Sequence, residues 1–449
     1  MSQTAHISGP NGLVIAAPNS NTGKTVFTLG LVSALESRGI DVEVAKAGPG
    51  YIDPQYLCLA LDRPCHILDR WALGLIQLQA RAHSIARDRD LLVIEGMMGM
   101  FDGAASLAGS PADLAATLNL PVVLLVDASG LAQSIAALVH GFATLRSRPR
   151  VCGVVATQVG SDGHANMLRR ALLEIGIPLL GTLKRSDKLH VPSRHLGLVQ
   201  ATEREDTRRL VEAARNAVLD GVDLEALLEA TKPVLPASAP ERMRPLGQRI
   251  AVAKDIAFEF AYPHLLDDWR AQGAEIVPFS PLQNEAPRID CDAIFLPGGY
   301  PELHAGEIAR AARFFAGLQA AEQRGCLIYG ECGGYMVLGR TLIDADGTAH
   351  GMAGLLSHVT SFATRRMHIG YRRLTPIRDD VWTSPLRGHE FHWSILENAG
   401  SDDPLFQQAN AQGDDLGLTG GRRGRVMGSY AHIIDRDPIA APFKGRQIH

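Results

Sequence analysis

Cys326-Leu327-Ile328-Tyr329-Gly330-Glu331-Cys332-Gly333-Gly334-Tyr335-Met336-Val337-Leu338 is the stretch that decides how this chain reads. A short apolar run, a glycine-flanked turn and a helical pattern follow one another, with a thiol at the apex. A nucleophile elbow has this layout: small residues on both sides let the backbone strain, and the side chain stands above a sheet edge. A helix that starts just after Cys332 puts its positive dipole end near the sulfur, which favours thiolate. The alternative is a buried packing cysteine beside a turn, the commoner role of a free Cys. Its company along the chain decides between them.

Upstream of the elbow, the runs Ile250–Ala253, Glu275–Pro278 and Ala293–Leu296 repeat the β-rich, apolar character. An earlier series comprises Leu13–Ala17, Val42–Ala45, Leu91–Ile94, Val122–Val126 and Val151–Ala156. Helical patterns such as Val26–Arg38 and Leu131–Leu145 lie between its runs. The alternation predicts an α/β protein with two doubly wound domains, parallel sheets covered by helices on both faces. Lys232-Pro233-Val234-Leu235-Pro236-Ala237-Ser238-Ala239-Pro240 breaks the pattern and reads as a linker. The expected division is 1–235, a linker at 236–246, and 247–449.

Bulk properties narrow the function classes. A chain of 449 residues suits two or three domains, and 46% hydrophobic residues suffice for their cores. A net charge of −4 supplies no global basic field, so nucleic acid is not an expected partner. Met1 to Pro10 lacks an apolar signal core, and no run reaches the roughly 18 apolar residues of a membrane span. The cysteines at 58, 65, 152, 291, 326 and 332 form no CxxC pair, which points away from zinc sites and disulfide frameworks. A reducing, cytoplasmic setting is expected.

Leu13–Ala17 runs into Pro18-Asn19-Ser20-Asn21-Thr22-Gly23-Lys24-Thr25 and then a helix. This meets G-x-x-x-x-G-K-[ST] except that Pro18 replaces the first Gly. Backbone amides from Asn21 to Lys24 can cradle phosphate, Lys24 can reach the terminal phosphates, and the Thr25 hydroxyl can ligate Mg²⁺. Acidic residues at the same sheet edge suit Mg²⁺–ATP: Glu95 closing Leu91–Ile94, Asp102 in Met100-Phe101-Asp102-Gly103, and Asp53 in Gly48-Pro49-Gly50-Tyr51-Ile52-Asp53-Pro54. Each alone could equally be a solvated loop carboxylate. Partitioning-type ATPases have an extra Lys where Asn19 stands. The loop looks more like those of dethiobiotin synthetase-like ligases, which use ATP to activate a carboxylate.

An elbow thiol needs a base and an oxyanion hole. His432, in Gly428-Ser429-Tyr430-Ala431-His432, is the candidate base, with a structural His at a strand end as its alternative. Gly299, in Leu296-Pro297-Gly298-Gly299-Tyr300-Pro301-Glu302, and Gly333 are the candidate oxyanion donors. This order of parts resembles a class I glutamine amidotransferase domain. Many such domains carry His-Pro-Glu, the acid orienting the His. Ile433-Ile434 follows His432 here, which leaves the orienting group unassigned. Gly388-His389-Glu390-Phe391-His392-Trp393-Ser394 has an i, i+3 spacing, not the H-E-x-x-H of a zinc protease, and that reading is rejected.

Over essentially its whole length the chain resembles the cobyrinic acid or hydrogenobyrinic acid a,c-diamide synthase family. The residues that carry the resemblance are Gly23-Lys24-Thr25, Gly48–Pro54, Glu95-Gly96, Phe101-Asp102-Gly103 and Pro192–Leu198. In the second half they are Leu296–Glu302, Gly330–Gly334, Gly388–Ser394 and Ser429–His432. The related cobyric acid synthases usually have Ile where Glu331 stands. Two departures stand out: Gly50 replaces the first acid of G-P-D-Y-I-D-P, and Trp393 replaces a Tyr.

The resemblance implies an ATP- and glutamine-dependent ligase that amidates the a and c acetates of a corrinoid polycarboxylate in cobalamin biosynthesis. It implies Cys332 and His432 as catalytic residues, and Gly299 and Gly333 as glutamine-site donors. It implies ATP contacts from Asn21 through Thr25, Mg²⁺ on Thr25, Asp53 and Glu95, and Tyr51 and Asp102 at the ligase site. Arg365-Arg366 and Arg372-Arg373 are candidate counter-charges for the polycarboxylate, or a solvated basic face. A homodimer is compatible with this reading. Two alternatives remain: another tetrapyrrole substrate such as nickel-sirohydrochlorin, and a nucleotide switch with an inert amidotransferase-like half.

Overall fold

The computed structural model describes residues 10–438, apart from 105–107, 190–192, 195–196 and 199–206. It forms two compact units that divide between Glu241 and Arg242.

In the first unit, β1 (Asn11–Ala16), β2 (Val42–Ala47), β3 (His66–Leu68), β4 (Leu91–Glu95), β5 (Val122–Asp127), β6 (Val151–Val159) and β7 (Leu179–Lys184) form one parallel sheet. Their order is β3-β2-β4-β1-β5-β6-β7. Lys232–Pro233 adds antiparallel to the start of β1. Along β1, Leu13 and Ile15 join one core with Phe27, Leu31 and Val218. Val14 and Ala16 join the opposite core with Leu114, Ala115 and Leu124. Strands buried on both faces need continuous apolar runs, which is why these segments are legible as strands.

β1 is flanked by β4 and β5, so its carboxyl end lies in the middle of the sheet, and helix α1 (Lys24–Ser37) begins eight residues after that end. Ligands of open α/β sheets bind at this edge, beyond the carboxyl ends of the strands. Of the Pro192–Leu198 segment, Ser193–Arg194 pairs with Gly197–Leu198. Pro192, His195 and Leu196 lie outside the described residues.

The second unit contains a six-stranded sheet ordered Glu275–Phe279, Arg249–Ala253, Ala293–Leu296, Leu327–Glu331, Val426–Ser429 and Gly421–Arg423. Its first five strands are parallel and the last is antiparallel. This is the second doubly wound element. After Leu338 the chain also builds a mixed four-stranded sheet and an antiparallel sheet that the sequence pattern does not announce. The antiparallel one, of five strands, runs Asp415–Thr419, Phe406–Asn410, His368–Pro376, Leu386–His392 and His432–Arg436. The chain passes from the parallel sheet at Ser429 to this antiparallel sheet at His432 through Tyr430 and Ala431. No helix among the described residues is long and apolar enough to cross a membrane.

Candidate active site

The elbow strand Leu327–Glu331 is fully buried and ends one residue before the thiol. Cys332 adopts φ 45° and ψ −104°, and the helix Gly333–Leu338 starts at the next residue. A side chain rarely adopts positive φ, and such strain persists only where the surroundings hold it. Here the Cys332 N–H donates to the Ser429 carbonyl at 2.8 Å. The elbow helix also packs hard against the neighbouring strand. A β-carbon on Gly334 would lie 1.9 Å from the Leu296 carbonyl oxygen, so only glycine allows this approach.

Cys332 and His432 flank one glycine. A β-carbon on Gly298 would meet His432 Cε1 at 2.3 Å, His432 Nε2 at 2.9 Å and Cys332 Cβ at 3.2 Å. The Nε2 edge of the ring therefore faces the side of the thiol. Gly299 and Gly333 also converge, since a β-carbon on Gly333 would lie 3.1 Å from the Gly299 amide nitrogen. The Gly333 N–H hydrogen-bonds the Cys332 sulfur, which favours thiolate.

Burial opposes charge on both partners. It pushes the Cys332 thiol well up, with the nearby Glu302 adding to the effect. His432 is fully buried and its imidazole falls to about 3, through desolvation first and then His389. The resting pair is thus an uncharged thiol and an uncharged imidazole.

The sequence leaves the group behind His432 unassigned, and the structure puts a carboxyl there. Glu331 Oε2 lies 3.8 Å from His432 Nδ1, with both side chains almost fully buried. Glu331 Oε1 accepts from the Ile433 N–H at 3.0 Å and from the Tyr329 hydroxyl at 3.1 Å. The available signal was an acid closing the otherwise apolar run Leu327–Gly330. A buried strand tolerates such a residue only if partners meet it.

Within the Gly388–Ser394 segment, Gly388 to His392 are strand, not helix, so His389 and His392 point to opposite faces. On one face His368, Glu390 and His392 bring ligand-type atoms within 4.8 Å of one another. The ligand-type atoms of Glu390 and His392 are already engaged. Glu390 pairs with Arg372 at 2.6 Å, accepts from Gln408 at 3.0 Å, and contacts His392 Nε2 at 2.8 Å. His392 Nδ1 meets the Ser394 carbonyl at 3.0 Å. Burial alone would raise the Glu390 carboxyl, but His392 and Arg372 overcome it and hold it down at about 2. Arg372, a candidate counter-charge for a polycarboxylate, is committed to this pair.

In the first unit Gly23, at φ 86°, caps the start of α1. Lys24 Nζ donates to the Asn19 carbonyl at 3.0 Å and the Met98 carbonyl at 2.7 Å. Burial and the adjacent Lys46 lower Lys24 to about 8. The Thr25 hydroxyl donates to Glu95 Oε1 at 2.8 Å. Asp102 accepts from the Gly99 N–H at 2.9 Å. A β-carbon on Gly99 would lie 2.6 Å from the Pro18 carbonyl, so this loop closes tightly on the phosphate loop. Thr22 is buried, Asn21 is exposed at φ 62°, and Tyr51 is half-buried just ahead of helix α2 (Asp53–Leu61).

Lys46 is a residue that the sequence reading missed. It is 2% exposed, and its Nζ lies 2.7 Å from Asp53 and 2.5 Å from Glu95. Burial alone would lower it, but the two carboxylates outweigh burial and raise it. Asp53, Glu95 and Thr25 are thus brought together around a buried cation. In Val42-Glu43-Val44-Ala45-Lys46-Ala47, the Lys reads as the polar side of an alternating strand, which hid it.

One unit carries a phosphate loop backed by carboxylates and buried lysines. The other carries an elbow thiol with a histidine beside it. Together they define the class: a nucleotide-dependent enzyme fused to a glutamine amidotransferase. Residues 13–199 match the CobQ/CobB/MinD/ParA nucleotide binding domain, and residues 249–438 match the CobB/CobQ-like glutamine amidotransferase domain. The hydrogenobyrinate a,c-diamide synthase of a Sinorhizobium species is 51% identical over 428 residues, 95% of this chain and 99% of that protein. That of Rhizobium meliloti is 49% identical over 95% of this chain and 99% of its own length. That of Brucella anthropi is 50% identical over 94% of this chain and 98% of its own. The chain belongs to the hydrogenobyrinate a,c-diamide synthase family.

Proposed function

We propose that the protein converts two acetate carboxylates, a and c, of hydrogenobyrinate to amides, using ATP and glutamine. The observation that carries this reading is the convergence of Cys332 and His432 on Gly298 in a family whose relatives bear that name. The Cys332 sulfur attacks the side-chain amide carbon of glutamine while His432 takes the thiol proton. The oxyanion that forms meets amides at Gly299 and Gly333. His432 returns the proton to the leaving nitrogen, ammonia departs, and a γ-glutamyl thioester remains. Water cleaves the thioester to glutamate and restores the thiol.

In the first unit the substrate carboxylate attacks the γ-phosphorus of ATP and ADP leaves. Ammonia then adds to the acyl phosphate, and phosphate departs to leave an amide. Lys24 and the amides of residues 21–24 hold the phosphates, with Tyr51 and Asp102 at the substrate side. A Mg²⁺ ion fits the donor set of Thr25, Asp53 and Glu95, since Glu95 Oε2 is buried without a hydrogen bond. Bound there, it would neutralise phosphate charge. The six cysteines, none of them in a disulfide, suit a reducing cytoplasm. A homodimer is compatible with this chemistry.

Cys332→Ala tests the division of labour. It is expected to abolish glutamine-dependent amidation and to retain amidation with added ammonium. Loss of both activities in a folded variant would refute it. Mass spectrometry after incubation with hydrogenobyrinate should show two successive losses of about one mass unit, the difference between an acid and its amide. The absence of any shift, with turnover of another tetrapyrrole, would reassign the substrate.

A further inference from the structure

The glutaminase site lacks the acid two residues after the histidine that many class I domains use. The inference drawn here rests on the reading of Cys332 and His432 as that site. A neutral imidazole must present Nε2 to the thiol and a proton on Nδ1 to something that holds it. The imidazolium formed during attack also needs a nearby negative group. In this structure the Nε2 edge of His432 faces Gly298 and the side of Cys332. Its Nδ1 faces Glu331 Oε2 at 3.8 Å.

We propose that Glu331 is the positioning residue of this site, its Oε2 accepting the Nδ1–H of His432 while Nε2 serves Cys332. The acid therefore sits on the nucleophile's own strand, one residue before Cys332, instead of following the histidine.

Three features support this assignment. First, Oε1 is doubly held, by the Ile433 N–H and the Tyr329 hydroxyl, which fixes the carboxyl and leaves Oε2 directed at the ring. Second, the hold is local to the histidine: Ile433 follows His432 directly, and Glu331 pairs with Ser429 across the sheet. The acid, thiol and base are thus tied to one another by two neighbouring strands. Third, among the described residues no lysine or arginine pairs with the carboxyl, unlike Glu390, which Arg372 neutralises.

A contact of 3.8 Å is longer than a hydrogen bond. Contacts of this kind commonly tighten when substrate binds. Burial pushes Glu331 up to about 8, and a positive charge that appears beside it drives the carboxyl toward its ionised form. The imidazolium is that charge. The other groups that bear on the ring are His389, His392 and Glu390, together with the Phe260 carbonyl. The carbonyl is the competing partner for the ring, and the experiment separates the two.

Glu331→Gln keeps an oxygen for the Ile433 N–H and the Tyr329 hydroxyl, but offers His432 an amide in place of a carboxylate. Steady-state glutamate release should show kcat reduced at least 100-fold with KM for glutamine little changed. Ammonium-dependent amidation by the same full-length protein should persist, which shows that the chain is folded. In a His432→Ala background, Glu331→Gln should cost less than about 2-fold more, because its target is gone. If Glu331→Gln retains kcat within about 3-fold of the parent, the residue is only a structural tie and the proposal is overturned. An independent loss in the His432→Ala background overturns it as well. If the unmodified protein itself releases no glutamate, it is the glutaminase reading that fails, and the two failures are distinct.

Discussion

At the residue scale, both halves of the molecule bury charge, and partners decide whether that is tolerable. Removing a charge from water is costly unless an opposite charge or strong hydrogen bonds replace the lost hydration. Lys46 meets this condition with Asp53 and Glu95, and Glu95 also receives the Thr25 hydroxyl. Breaking such a pair by removing one partner leaves an uncompensated charge in the interior. Lys46→Ala should therefore destabilise the first unit by about 3–5 kcal/mol, read as a fall in the urea midpoint of the full-length protein. A midpoint unchanged within error would mean that Glu95 takes up a proton at little cost once Lys46 is gone. Gly50 adjoins this cluster, and a β-carbon there would lie 3.9 Å from Lys46 Cε, an ordinary contact. The position therefore has room for a side chain, and the glycine reflects no local crowding.

At the element scale, the elbow works because a strand, a one-residue reversal and a helix are packed without slack. Gly334→Ala would drive a methyl group into the Leu296 carbonyl, a backbone atom of the adjacent strand that cannot swing aside. The expected cost is about 3 kcal/mol, at the upper end for overpacking. Equilibrium denaturation would measure it, with Gly50→Ala as a near-neutral comparison. The same scale explains what the sequence made legible. Strands such as Leu91–Glu95 and Ala293–Leu296 are buried on both faces and announce themselves as apolar runs. The antiparallel strands do not: His368–Pro376 varies irregularly among buried, half-buried and exposed positions and carries His, Arg and Thr. Cys332, Lys24 and Thr25 were legible as candidates because each sits at a turn or a helix start, whereas His432 opens a strand and was a candidate only through its place after the elbow. Glu331 and Lys46 were not, because their partners lie far along the chain. Glu331 finds Ile433, and Lys46 finds Glu95. A buried charge means nothing in sequence until the fold supplies its counterpart.

At the scale of the whole molecule, the titratable interior of the second unit predicts how the protein responds to acid. Burial lowers His358 to about 4 and both His389 and His432 to about 3. The unfolded chain binds protons at these sites below about pH 6.5, whereas the folded chain refuses them until far lower. Stability therefore falls as pH drops from 6.5 toward 4, because the unfolded state gains the protons. Glu331 works in the opposite direction: its folded value of about 8 against 4.5 unfolded makes the folded state the better proton binder across that interval. Its contribution is fully present below about pH 4.5 and is lost as pH rises to about 8. Three histidines outweigh one glutamate between pH 6.5 and 4.5. Below 4.5, Glu390, held down at about 2, adds to the histidines, because it too must be protonated on unfolding. Trp269, Trp382 and Trp393 lie in the second unit and only Trp71 in the first, so intrinsic fluorescence reports mainly on the second. Thermal unfolding followed in this way should show a midpoint that falls steadily from pH 7 to pH 4.5. His389→Gln should shallow that slope by removing one of the three contributors, provided the variant folds at pH 7. A midpoint flat across this range would mean that the histidines gain their protons without unfolding, through water reaching the unit's interior.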